Sequence, residues 1–433
     1  MASISPFRAW RYASGKVSIG QVVTQPYDKI TPAMQEGYYQ ASPYNLVRII
    51  LGKRQLASDS PSDNVYTRAA ASFQSWRQTG ILEQDTTPSL YRYSQTFKIP
   101  GAQTSAERCG FIALGRLEDY SAGVVFRHEQ TLSKPKADRL DLLRATRAHF
   151  GQVFMLYSAA GKVDDLLSAY SSTPDIEVID EYDVIHRVWK ISDPSVISAT
   201  QEQMRDQKLI IADGHHRYET ALAYRKERRE ASPTAAVAPH DFVMMTFVDM
   251  DRPGLVILPT HRAVSGLSTS SIESFPNEVR RFFKVEDVDP AIDAARATAI
   301  LQQAGIVGPA LLAVARDRAL LLHTPQAIGM PLFGNLSLRQ QWLDVVQLHK
   351  CVLDNCLGIS EEAIRNQQHV SYFRDAFEAL AQVGDGRVQL AFLMNPVRMK
   401  QVRDIAFAGE VLPQKSTDFY PKLLSGLTVY ALD

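Results

Sequence analysis

Apolar and polar positions in this chain follow two different periods, and the places where one gives way to the other outline its elements. From Leu90 to Ile99 the pattern alternates, with Tyr91, Tyr93, Gln95, Phe97 and Ile99 on one side, which predicts a half-buried strand. A second run at Cys109–Leu117 predicts its antiparallel partner. Ile176–Ile179 and Val184–Ile191 predict a hairpin around Asp180-Glu181-Tyr182-Asp183, and Ala310–Ala315 with Ala319–His323 another around Arg316-Asp317-Arg318. Helical spacing replaces alternation at Asn64–Gln78, where Ala69, Ala70, Phe73 and Trp76 lie near one face and Gly80 ends the element. Leu343–Leu357 reads as a helix stopped by Gly358, with Ser360 placed to cap the next. The first forty-odd residues are rich in Pro, Tyr and turn formers and read as a loop-rich entry to a strand at Val47–Leu51. Hairpins mixed with helices predict an α/β (α+β) fold, mixed sheets with flanking helices, rather than a regular doubly wound one.

At 433 residues the chain is long for a single core, so two or three parts are expected. The division expected is 1–125, an N-terminal α/β part; 126–265, a central core; and 266–433, a C-terminal α/β part, with a Ser/Gly/Thr-rich stretch near Val264–Ile272 at the second junction. Glu230–His240, with two prolines, reads as an exposed connection. Lys+Arg and Asp+Glu each total 47, so no global basic field exists to hold DNA or RNA. No run of about 18 apolar residues is present, so no membrane helix is expected, and the first ten residues lack a signal-peptide core. Cys109, Cys351 and Cys356 show no disulfide or zinc spacing and read as core thiols. A cytoplasmic location follows as the expectation; the sequence leaves the oligomeric state open.

Chemistry concentrates at one strand–turn–helix. Lys208–Ala212 is a short apolar strand, Asp213-Gly214 turns the chain, and a helix runs on from Arg217. A helix start offers unpaired N–H groups, Gly214 admits an anion close to the backbone, and His215, His216 and Arg217 add cationic side chains there, a combination suited to phosphate. The competing readings are a merely tight turn with locally satisfied histidines, and a zinc site, which two adjacent histidines pointing apart would serve poorly. A second group is Arg127-His128-Glu129-Gln130-Thr131, followed by Ser133-Lys134-Pro135-Lys136 and Asp138-Arg139, with Pro135 in the first turn of a helix through Leu140, Leu143 and Arg147. There Glu129 is a candidate base or metal-binding carboxylate, against a solvated charged turn as the plainer reading. Leu258-Pro259-Thr260-His261-Arg262 closes a short strand, and the polar loop Pro413–Lys422 follows a helix ended by Gly409. No Gly-x-x-x-x-Gly-Lys-Ser/Thr occurs, which excludes a P-loop.

The run Ile211-Ala-Asp-Gly-His-His-Arg-Tyr-Glu-Thr-Ala-Leu222 resembles the hallmark of an uncharacterised prokaryotic family, DUF1015. The resemblance extends through Gln25-Pro26-Tyr27-Asp28, Pro43–Arg48, His128–Thr131, Lys134–Arg139, Pro259–Arg262, Leu343–Val345, Leu348-His349 and Lys415–Lys422. More distantly, the Asp-Gly-His-x-Arg unit is similar to the phosphate-binding turn of the ParB/sulfiredoxin-like superfamily, which includes a kinase acting on free L-serine. That resemblance implies a ParB/sulfiredoxin-like core with added subdomains and a nucleotide-dependent phosphotransferase acting on a small hydroxylated metabolite, free serine first. ATP or ADP with Mg²⁺ would be required. Gly214, His215, His216 and Arg217 would hold the nucleotide phosphates, with Lys415 and Ser416 adding anion contacts. Asp213 and Glu129 would place the metal, and Glu129, Asp213 and His216 would form the catalytic set, Glu129 taking the hydroxyl proton. The alternatives are a metal-dependent phosphatase or other hydrolase, and a non-catalytic nucleotide-sensing protein; a nucleic-acid or membrane role is not expected.

Overall fold

Alternation at the start of the chain's apolar pattern becomes a long antiparallel pair, Leu90–Lys98 against Ser105–Arg116, in which Tyr91 faces Ile112 and Gln95 faces Arg108. The structure is a computed structural model describing residues 2–55, 59–102, 104–129, 134–169, 173–233 and 236–433, with backbone alone for 134–136. It divides into two compact units: Met1–Arg127, Thr131–Val256 and Pro421–Asp433 form the first, and His128–Gln130 with Ile257–Tyr420 the second.

The first unit is built on a nine-stranded mixed sheet. Its order is Val125–Arg127, Leu209–Asp213, Val153–Tyr157, Phe242–Asp249, Ser105–Arg116, Leu90–Lys98, Ile185–Ile191 and Ile176–Ile179, with Ile4–Ser5 paired to Ser105–Arg116. Leu209–Asp213 runs parallel to Val125–Arg127 and antiparallel to Val153–Tyr157. Its first four residues are buried, as expected of a strand covered on both faces. One core gathers Phe111, Met155, Tyr157, Ile211, Tyr218 and Phe247. A second gathers Ile50, Phe73, Trp76, Leu142 and Phe150 around the helices Val65–Gln78 and Lys134–Thr146. The Val65 helix starts where the sequence placed it, because Asn64 accepts from Tyr66 N and Thr67 N in a capping box.

Two entry segments differ from expectation. Val47–Leu51 is not a strand: Val47–Ile50 is a helical turn, begun by Asn45 Oδ1 accepting from Val47 N at 2.9 Å and packed with Val47, Ile49 and Ile50 all buried. β-branched residues mislead there because tertiary burial outweighs their strand preference. The loop-rich entry also contains a ten-residue helix, Pro32–Ala41, capped by Thr31 with Pro at its first position.

The second unit carries a six-stranded antiparallel sheet in the order Lys284–Val288, Ala319–His323, Ala310–Val314, Leu390–Met394, His261–Val264 and Val370–Phe373. The Ser/Thr-rich stretch after Val264 begins the helix Thr269–Val279, with Ser268 as its cap. Leu343–Leu357 is helical as expected but changes pitch, a turn at Asp344–Gln347 passing into a π-helix at Leu348–Cys356. Gly358 then takes φ +67°, and Ser360 caps the next helix by accepting from Ala363 N. Cys109, Cys351 and Cys356 are free thiols. Among the described residues no helix is long and apolar enough to cross a membrane.

Candidate functional site

The strand Leu209–Asp213 slips register at its end: Ile211 pairs with Met155 but Asp213 with Phe154, so Ala212 is an extra residue in the ladder. Such a bulge re-aims the side chain that follows. Gly214 comes next at φ +88°, a left-handed conformation that penalises any side chain, and the helix His215–Ala231 begins at once. No side chain caps that helix start. Gly214 has a second reason to lack a side chain, since a Cβ would stand 2.9 Å from Arg217 Nε and 3.0 Å from Arg217 Cζ.

Arg217, one turn into the helix, folds back over this glycine. Its Nη2 donates to Asp213 Oδ2 at 2.9 Å and its Nη1 to the Gln152 carbonyl. Lys422 Nζ approaches Asp213 Oδ1 at 3.7 Å. Burial acts to raise the Asp213 pKa, but the charges of Lys422, Arg217, Lys29 and His215 outweigh it and hold the carboxyl well below its ordinary range. Arg217 and Lys422 thus converge on one carboxylate at an uncapped helix N-terminus, and the charges of Lys29 and His215 act on it as well. The surplus of positive charge, with the oriented N–H groups, suits a multiply charged anion. His215, His216 and Arg217 are each half-buried, so the turn borders solvent.

A buried network sets the lysine in place. Arg108, 2% exposed, donates to Gln95 Oε1 and to the Pro421 carbonyl, and Gln95 Nε2 donates to the Lys422 carbonyl at 2.8 Å. Tyr93, against the buried His186–Asp180 pair, accepts from Leu424 N at 3.4 Å. Burial pushes the Arg108 guanidinium down to about 10.

The other predicted residues lie in the second unit. Glu129 Oε1 accepts from Lys415 N at 2.7 Å and Oε2 from Thr417 Oγ1 at 3.3 Å. His128 Nε2 lies 2.7 Å from the same threonine oxygen. A hydroxyl has one hydrogen, so if Thr417 donates to Glu129 then His128 must carry its proton on Nε2. Lys415 takes φ +57°, and its carbonyl accepts from the buried Arg262 at 3.0 Å. The Ser416 hydroxyl is buried and donates to the Pro413 carbonyl within its own loop.

The structure thus gathers Asp213, Gly214, His215, His216 and Arg217 on one turn, and separately gathers Glu129, Lys415 and Ser416 around one loop. Gln130, Thr131 and Ser133 lie outside the described residues. Lys29 and Arg108 were missed in the sequence. Lys29 directly follows the Gln25–Asp28 motif, and Arg108 sits at an inward position of an alternating strand, where a charge is out of place.

The donor set around Asp213 does not fit a protein-held Mg²⁺. Its carboxylate faces cations, and among the described residues no three His, Cys, Asp or Glu side chains are grouped to hold a metal ion. The same surroundings do fit phosphate: an open helix start, a glycine that leaves the backbone accessible, and an excess of positive charge.

No curated protein matches the sequence. A free serine kinase in complex with AMP is 13% identical, with a TM-score of 0.33, over 68% of this chain and 83% of its own. SbnI with C-terminal truncation from Staphylococcus aureus is 11% identical, TM-score 0.36, over 74% and 87%. A conserved hypothetical protein from Pyrococcus furiosus is 13% identical, TM-score 0.32, over 68% and 87%. Residues 4–346 match the family described as "Protein of unknown function (DUF1015)", and the chain belongs to that family.

Proposed function

We propose that the protein is a nucleotide-dependent phosphotransferase acting on a small hydroxylated metabolite, with free serine the first acceptor to try. The observation that carries the reading is the convergence of Arg217 and Lys422 on Asp213 at an uncapped helix start, with the charges of Lys29 and His215 acting on the same carboxylate. Phosphoryl transfer gains chiefly from alignment and charge neutralisation, and this turn supplies both to a polyphosphate. The sequence similarity of Asp213–Arg217 to a phosphate-binding turn supports it further.

In this reading Gly214, His215, His216 and Arg217 hold the phosphates of ATP or ADP, while Asp213 fixes the guanidinium of Arg217 and the ammonium of Lys422. The acceptor oxygen bonds to the terminal phosphorus as the bridging P–O bond breaks. The hydroxyl proton passes to a carboxylate, a role the proposal gives to Glu129. No step is routed through a metal held by these residues.

The test incubates the purified protein with ATP or ADP, Mg²⁺ and a panel of amino and hydroxy acids, reading phosphorylated product by mass spectrometry. Glu129→Gln is expected to bind nucleotide as the parent does and to turn over about 100-fold or more slowly. Absence of both product and nucleotide binding would remove the proposal.

A further inference from the structure

Beside Arg217 the first unit has a partly open cavity of about 80 Å³. At roughly 15 Å³ for each water position it has room for about five waters. Tyr27, Leu142, Leu143, Ala148 and Phe150 are among its lining residues, as is Arg217. The aromatic walls are braced: Phe150 meets Phe73 edge-on at 5.0 Å, and the guanidinium of Arg139, itself a lining residue, lies 4.2 Å from the centre of the Tyr27 ring. Packing of this kind keeps the space from collapsing.

Two further features turn the cavity from a packing defect into a receptacle. Thr220 lies one turn beyond Arg217 on the same helix face and lines the cavity; it is 5% exposed and its hydroxyl has no hydrogen-bond partner. A buried hydroxyl left unpaired is costly, and a ligand's polar atom would satisfy it. Gly151 also lines the cavity and contributes no side chain to it.

We infer that this cavity seats the nucleobase of the nucleotide whose phosphates lie on the Asp213–Arg217 turn, with Arg217 shared between the two subsites. The inference rests on the phosphate reading of that turn and adds the ring. Apolar walls of Leu142, Leu143, Ala148 and Phe150, with the polar groups of Tyr27, His149, Thr220 and Ser425 beside them, select a flat heteroaromatic group.

The experiment compares inorganic pyrophosphate with ADP by calorimetry on the full chain, in the parent and in Ala148→Leu, which fills the cavity away from the turn. ADP is expected to bind the parent at least about 10-fold more tightly than pyrophosphate. In Ala148→Leu that advantage should vanish while pyrophosphate affinity stays within about two-fold. Equal affinity of the two ligands in the parent, or an ADP advantage that survives Ala148→Leu, overturns the inference and leaves the phosphate turn standing. A parent that binds no pyrophosphate brings down the phosphate reading itself. If Ala148→Leu does not fold, Thr220→Val decides: an ADP affinity lowered about five-fold or more with pyrophosphate unchanged supports the seat, and an unchanged ratio overturns it.

Discussion

Replacing Gly214 by alanine probes the turn at its tightest point. The residue holds φ +88°, where a side chain costs about 1–2 kcal/mol. The new Cβ would also stand 2.9 Å from Arg217 Nε and 3.1 Å from Nη2, so the guanidinium must swing away. That motion weakens its bonds to Asp213 and Gln152, and a hydrogen bond to a charged group is worth about 1.5–3 kcal/mol. Since the guanidinium is the far end of a flexible side chain, part of this is recovered, leaving a loss of roughly 2–4 kcal/mol in the first unit. With Arg217 displaced, pyrophosphate affinity should fall about 10- to 100-fold. Urea unfolding measures the first quantity and calorimetry the second. A double-mutant cycle isolates the contact: in an Arg217→Ala background the glycine change should cost only the backbone part, about 1–2 kcal/mol. Equal losses in both backgrounds, or unchanged pyrophosphate binding in Gly214→Ala, would refute the coupling of glycine to arginine.

Two further predictions concern the second unit and pH. His261 and His349, 4% and 6% exposed, are held neutral by burial, pushed down to about 4 and about 3. Protons therefore favour the unfolded chain below its ordinary pKa of about 6.5, and stability should fall from there toward pH 4, by on the order of 3 kcal/mol for each histidine. Hydrogen exchange of the second unit at pH 7 and pH 5 in an Asp344→Asn background, which removes the opposing carboxyl, should register the loss, and adding His349→Leu should remove about half of it; a flat profile in the Asp344→Asn background refutes it. Asp344 has the opposite sign, because burial raises its carboxyl to about 7 even though Asn395 N donates to it at 3.2 Å. Its ionisation penalises the fold progressively from pH 4 to 7, so Asp344→Asn should match the parent near pH 4 and exceed it at pH 8 by up to about 4 kcal/mol. Equal urea midpoints for variant and parent at pH 8 would contradict that.

Much of this architecture could be read in the sequence wherever local chemistry and tertiary packing agree. Asn64 capping its helix, the alternation at Leu90–Lys98, and the Ala310–His323 hairpin all emerged as expected. So did the turn at Asp213–Arg217, because a strand, a glycine and a basic helix start leave few other conformations. Val47–Ile50 went astray because its neighbours, not its residues, decide between strand and helix. Leu348–Cys356 has helical spacing either way, and side-chain period alone does not announce a change to π pitch. Lys29 and Arg108 escaped notice because their roles arise from strand pairing and chain crossing, which no local window contains.

The lysine paired with Asp213 comes from Pro421–Asp433, a segment of the first unit that follows the whole of Ile257–Tyr420 in the chain. During synthesis, Asp213 leaves the ribosome about 200 residues ahead of Lys422, an interval on the order of 10–40 s at ~5–20 residues per second. For that time the nascent turn lacks one of its positive charges, and its aspartate is less well neutralised than in the finished protein. The full charge balance at this turn is thus a late acquisition in the life of each chain, reached only once translation has passed through the second unit.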